Sequence, residues 1–253
     1  MVRSIPLPLL LVSALFFGAA YFTSRFPDVP GASAGSFAAT FLIALPAVIS
    51  LFRYLGARRA ALSLLAVSLF AFAIEATGVA TGFPYGDFHY GDALGPKVFG
   101  LVPYLLSVSY APLVIGAAAA SRPGTSRFMP WVLRSAALLV LMDGVLDPGA
   151  TALGFWAWPE GGAYYGVPAS NYLGWLLSGA LASALLLAAG RWQVQPPPGL
   201  LDSSIVAMAF WTGVAVFEGL ALPAVLGVAL LSFLSWRRSR LRDGKAVLQA
   251  GRV

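Results

Sequence analysis

The chain has no cysteine, one histidine and little charge, and each shortage closes off chemistry. Without cysteine there are no disulfides, thiolate metal ligands or cysteine nucleophiles. A lone histidine, His89, argues against a multi-histidine metal centre, and "DFHYGD", with Asp87 and Asp92 around it, is a weak basis for any metal site. Charged residues make up 10% of the 253 positions, where a soluble domain carries about a quarter. With 59% of residues hydrophobic, the chain lacks the polar surface of a soluble fold. Helices through a bilayer are the physical alternative, because a helix satisfies its own backbone hydrogen bonds in lipid.

Eight apolar segments are long enough to serve: 5–23, 34–52, 60–80, 98–120, 130–151, 171–190, 202–217 and 220–236. The expected fold is an all-α integral membrane bundle of about eight transmembrane helices, forming one domain over 1–253. The first segment, one Arg followed by an apolar run with small residues at Ala19 and Ala20, also has features of a secretory signal. Its length and the spans that follow favour a retained helix. The last two segments meet at Glu218-Gly219, either a tight turn between two short helices or a break in one long helix.

The net charge of +6 does not point to nucleic acid, because the basic residues sit in short loops and the tail. With both termini in the cytoplasm, 14 of the 16 Lys and Arg fall on the cytoplasmic side, and only Arg25 and Lys97 fall outside. The positive-inside rule demands such an asymmetry, and the chain is expected to be a multi-pass protein of the plasma membrane. Residues 237–253 read as a basic cytoplasmic tail with affinity for anionic lipid.

The two long external loops, "TGFPYGDFHYGDALGPK" (81–97) and "LGFWAWPEGGAYYGVPASN" (153–171), are rich in Gly, Pro and aromatics. Turns and an interfacial aromatic belt account for much of that. The loops also resemble each other. Glu75 stands seven residues before Gly82-Phe83, Asp147 stands seven before Gly154-Phe155, and Tyr90-Gly91 and Tyr165-Gly166 follow in turn. Parallel repeats of one helix pair would produce this pattern.

Four of the ten acidic residues lie within or at the ends of apolar segments: Glu75, Asp143, Asp147 and Glu218. A charged Asp at mid-helix costs about 2.5–3.5 kcal/mol on insertion scales, so such residues face the bundle interior or a wet cavity. Asp143 and Asp147 are one helical turn apart on one face. All four acids are expected at similar depth, beneath the aromatic loops. Adjacent carboxylates in low dielectric are expected to titrate apart, which supplies an acid and a base together. Helix–helix hydrogen bonding is the competing structural explanation for the pair, and capping a turn is the competing one for Glu218. Asn171, opening the sixth segment, is a candidate helix cap as well as a polar site residue. Lys97 is expected to pair with a loop acid or a lipid phosphate.

"EATGVATGFPYGDFHYGDALGPKVFGLVPY" (75–104) and "LDPGATALGFWAWPEGGAYYGVPASNYLGW" (146–175) resemble the membrane-embedded carotenoid hydratase family, of the carotenoid 1,2-hydratase and bisanhydrobacterioruberin hydratase type. The resemblance is good over 70–176 and extends to the flanking helices only by hydropathy. It implies addition of water across the terminal C1–C2 double bond of an acyclic carotenoid end group, giving a tertiary alcohol. The implied partners are a lycopene-like or bacterioruberin-precursor-like substrate, water and membrane lipid, with neighbouring carotenoid-modifying enzymes.

The resemblance assigns no catalytic set, so roles rest on chemistry. An isolated trisubstituted alkene needs a positioned acid, and a carboxylic acid kept neutral in a greasy site can protonate it. A second carboxylate can hold the water and take its proton. Asp143 and Asp147 are the core pair, with Glu75 close by. Aromatic faces stabilise the intervening cation; Phe83, Tyr85, Tyr90, Trp156, Trp158 and Tyr165 are candidates, with Asn171 as a polar contact. No cofactor or metal is required, and the polyene is expected to enter sideways from lipid. A carotenoid end-group cyclase would share the protonation but exclude water. A transporter would need a polar route from both faces, and a non-catalytic carotenoid-binding protein would tolerate loss of Asp147.

Overall fold

A computed structural model describes residues 5–27, 29, 31–122, 127–192 and 195–241. Among these residues the chain forms eight α-helices: α1 (Leu7–Arg25), α2 (Ala32–Leu55), α3 (Ala57–Thr81), α4 (Leu106–Ala120), α5 (Phe128–Ala152), α6 (Ala169–Gly190), α7 (Asp202–Phe217) and α8 (Ala221–Arg240). A 3₁₀ turn over Pro198–Leu201 leads into α7. Seven of the helices, α7 counted with that turn, are long and apolar enough to cross a membrane. The architecture is an all-α polytopic bundle.

The fourth segment departs from expectation. Helix was anticipated from residue 98, yet α4 begins only at Leu106 and has 15 residues. Gly95, Pro96, Gly100 and Pro103 break the preceding stretch. It folds instead as a small antiparallel hairpin of β2 (Lys97–Val98) and β3 (Val102–Pro103). At about 1.5 Å per residue, α4 spans roughly 22 Å, short of the hydrocarbon core. Near the C-terminus, α7 and α8 are separate helices joined by a tight turn in which Gly219 has φ 73°. Glu218 closes α7 there and is partly exposed. Of the expected basic tail, residues 237–240 complete α8, and 242–253 lie outside the described residues.

Without a hydrophobic force between helices in lipid, close approach depends on small side chains. Helix α3 buries Ala60, Ser63, Val67, Ala71, Glu75 and Gly78, a stripe at three- and four-residue spacing. It packs against α6, whose buried residues include Gly174, Ser178 and Ala182. Helix α1 packs chiefly on α7, where a Cβ at Gly213 would meet Phe17 O at 2.7 Å. Helix α5, much of it buried, packs on α6, α7 and α8. The outward faces of α1, α2 and α3 carry exposed Leu15, Phe22, Phe41, Leu42, Leu65 and Leu69, as a lipid-facing surface requires.

Both long loops emerge at one end of the bundle and zip together. Strand β1 (His89–Tyr90) pairs antiparallel with β4 (Trp156–Ala157), with Tyr90 opposite Trp156. At the other end, Arg237 donates to the carbonyls of Ala120 (2.6 Å) and Arg122 (3.3 Å). Arg238 makes a two-pronged ion pair with Asp202 at 2.6 and 3.2 Å.

Candidate active site

Helix α5 contains Pro148, which has no N–H to offer the carbonyl four residues back, at Gly144. The hydroxyl of Tyr164, in the second loop, donates to that carbonyl at 3.1 Å. Proline thus exposes one carbonyl and the loop that follows covers it. The arrangement anchors the second loop beside Asp143 and Asp147, which share the buried face of α5 at 1% and 2% exposure.

The amide of Asn171 joins the two aspartates. Its Nδ2 donates to Asp143 Oδ2 at 3.0 Å and also to Asp147 Oδ2. Asn171 does not cap its helix, as the sequence had suggested; α6 begins at Ala169 without a side-chain cap, which leaves the amide for the carboxyl groups. Asp143 Oδ1 is buried with no hydrogen-bond partner among the described residues. The indole of Trp156 faces Asp147 from the second loop.

Across the cavity, Glu75 is 6% exposed on the inner stripe of α3. Tyr90 Oη donates to Glu75 Oε2 at 2.7 Å. Burial, with the Glu75 charge behind it, pushes the Tyr90 phenol well above its ordinary range, so it remains a donor. Tyr85 is raised likewise, first by burial and then by Glu75. Its carbonyl accepts from Trp158 Nε1 at 3.0 Å and Ser170 Oγ at 3.4 Å. Its ring lies between Gly78 and Gly174, where added Cβ atoms would come within 2.8 and 2.6 Å of it. The turn that carries Tyr85 depends on Gly86, whose φ of 89° disfavours any side chain and whose Cβ position would meet Ser170 Oγ at 2.8 Å.

A cavity of about 750 Å³ collects these groups. Glu75, Asp147, Tyr85, Tyr90, Trp156, Trp158 and Asn171 line it, and Asp143 sits behind Asn171 and Asp147. The cavity continues between α1 and α2, where its walls include Phe22, Phe26 and Val29, all exposed. Two sequence candidates lie elsewhere. Phe83 is 61% exposed and points away from the cavity, because the turn that buries Tyr85 sends its neighbour outward. Tyr165, at φ 53°, accepts from the Leu222 backbone N–H at 3.2 Å and ties the loop to α8. The anticipated grouping of four acids reduces to three: Glu75 and Asp147 line the cavity and Asp143 shares the Asn171 amide with Asp147, whereas Glu218 has no such link among the described residues. Lys97 pairs with Asp92 at 3.3 Å and donates to the Tyr90 carbonyl at 2.8 Å.

Sequence reasoning passed over Tyr110, Trp175, Phe155 and Trp211, which also line the cavity. Each stands in an apolar run or belt where an aromatic residue carries no distinguishing signal. Tyr110 and Trp175 pack ring to ring, with centroids 5.5 Å apart.

Comparison with known proteins bears on this site. Over 225 residues the chain is 38% identical to the bisanhydrobacterioruberin hydratase of Haloarcula japonica, covering 82% of this chain and 75% of that protein. No solved structure matches. The family model described as "Carotenoid biosynthesis protein" matches residues 33–234, a stretch that includes all three buried carboxylates and both aromatic loops. The chain belongs to this family of carotenoid biosynthesis proteins.

Proposed function

We propose that the protein is a carotenoid hydratase. It adds water across the terminal C1–C2 double bond of an acyclic carotenoid and leaves a tertiary alcohol. The observation that carries this reading is the meeting of Glu75 with the Asn171-bridged aspartates in an aromatic cavity that reaches the lipid side between α1 and α2. The bisanhydrobacterioruberin hydratase similarity supports the reaction class.

The chemistry follows from those groups. A carboxyl group protonates the less substituted alkene carbon. The tertiary cation that forms next to it is stabilised by the faces of Trp156, Trp158 and Tyr85. Water adds to the cation and gives up a proton to a carboxylate. The side chains alone suffice for these steps. The end group enters through the α1–α2 cleft while the rest of the polyene stays in lipid. We further assign one membrane domain with both termini in the cytoplasm of a plasma membrane. The supporting fact is that, of the 12 described Lys and Arg, 10 lie toward the end of the bundle remote from the aromatic loops, all but Arg25 and Lys97. Other carotenoid-modifying enzymes would act on the product.

Expression in cells that make lycopene or a bacterioruberin precursor tests the reading. A carotenoid heavier by one or two waters, identified by mass spectrometry, is the expected result. Unaltered pigment of both kinds alongside well-folded protein overturns it.

A further inference from the structure

At the cavity wall, where Tyr85 and Tyr110 line it and Ser178 is buried next to them, lies a second polar feature that the carboxylates do not explain. Three hydroxyls from three separate elements meet beside Glu75: Tyr85 in the first loop, Tyr110 on α4 and Ser178 on α6. The residues are 2%, 4% and 0% exposed, and none of the three oxygens has a hydrogen-bond partner among the described residues. Both phenols face Ser178 Oγ, and Tyr85 also faces Glu75, without closing a hydrogen bond. Nor can the phenols easily turn elsewhere. The Tyr85 ring is wedged between Gly78 and Gly174, and the Tyr110 ring rests on Trp175.

A buried hydroxyl without a partner carries a desolvation penalty. Three at one spot, two of them on wedged rings, call for a molecule that makes two to four hydrogen bonds. Water is such a molecule, and buried waters characteristically satisfy groups of this kind. Resting on the hydratase reading, we propose that Tyr85, Tyr110 and Ser178 bind the water that is added to the substrate, that Glu75 is the base receiving its proton, and that the Asp143–Asp147 pair is the proton donor. The two tasks are thereby divided between a carboxyl group of α3 and a pair on α5.

The steps balance. A proton passes from the aspartate pair to the less substituted alkene carbon, and the π electrons form the new C–H bond. The water oxygen donates a lone pair to the tertiary cation and forms the C–O bond. The resulting oxonium loses its proton to Glu75. Return of that proton to the aspartates across the shared cavity restores the starting state, and nothing is oxidised or reduced. Without a held water, loss of a proton from the same carbon returns the cation to the starting alkene.

Reversion provides the test. The purified protein is supplied with lycopene in D2O, and two products are measured: hydrated carotenoid, and deuterium in recovered lycopene. For Tyr110→Phe and Ser178→Ala, hydration is expected to fall roughly tenfold or more while deuterium exchange into lycopene persists or rises. Asp147→Asn should lose both. Each of the first two changes removes a single oxygen, and Ser178→Ala carries the test if Tyr110→Phe fails to fold. Wild-type hydration in a folded variant, or equal loss of hydration and exchange, overturns the assignment. If the unaltered protein neither hydrates nor exchanges lycopene or a bacterioruberin precursor, the hydratase reading itself fails, which is a separate result.

Discussion

At Asn171 a single amide nitrogen serves two carboxyl oxygens and so holds the aspartates side by side. Asp147 lines the cavity and Asp143 stands behind it. Substituting Asp147 by Asn keeps the shape and removes the acid. Hydration should fall by about 10²–10⁴, the usual contribution of a positioned proton donor, in an assay of hydrated product per folded protein. Tyr90→Phe takes away the donor to Glu75 Oε2 while the ring stays beside Phe88 and Trp156. A smaller loss is expected, about tenfold, and the spacing of the β1–β4 pair should persist, as checked by protection from proteolysis in the loops. Spacing alone placed the two aspartates on one face. It could not show that Asn171, an apparent helix cap, would turn its amide to them.

Among the elements, α5 shows most clearly how a local irregularity is put to use. Pro148 follows Asp147 directly, and the carbonyl it leaves free at Gly144 is taken by Tyr164. Tyr164→Phe should therefore leave a carbonyl unpaired and destabilise the protein by about 1–3 kcal/mol, seen as a lower thermal midpoint in detergent. The α3–α6 contact depends on a different device, the absence of side chains at Gly78 and Gly174. Gly174→Val would drive a side chain into the Tyr85 ring and the Pro84 carbonyl, which approach an added Cβ at 2.6 and 2.8 Å. Overpacking of this sort costs about 1–3 kcal/mol and should lower the thermal midpoint as well as displace Tyr85 from the cavity. Hydropathy located α3, α5 and α6 to within a few residues. It overextended α4, because a window of apolar residues does not register that Gly95, Pro96, Gly100 and Pro103 interrupt the backbone.

For the molecule as a whole, the two aromatic loops mark one end and the basic clusters mark the other. A reporter active only in the cytoplasm, fused after Val253, should be active, and one inserted at Gly161, in the second loop, should be silent. The mouth between α1 and α2 lends itself to a similar test. At Gly35, on the cavity wall, an added Cβ would meet nothing within 4 Å, so the fold has room for a larger side chain there. Gly35→Trp should obstruct the mouth and slow hydration of a full-length carotenoid more than that of a short isoprenoid alkene, compared as initial rates.

Composition and periodicity by themselves determined that this chain forms a helical membrane bundle, because so little charge cannot cover a soluble fold and long apolar runs satisfy their backbone only as helices. They also singled out the acids, since a carboxylate in such a run is costly enough to be conspicuous. Which aromatics surround those acids was decided only by tertiary structure. Phe83 and Tyr85 are two residues apart, yet the turn exposes one and buries the other between two glycines. Tyr110 and Ser178 are ordinary residues of apolar helices until α4 and α6 bring their hydroxyls together beside Glu75. Side-chain direction in a turn, and proximity across helices, depend on packing between distant parts of the chain, and no local pattern encodes them.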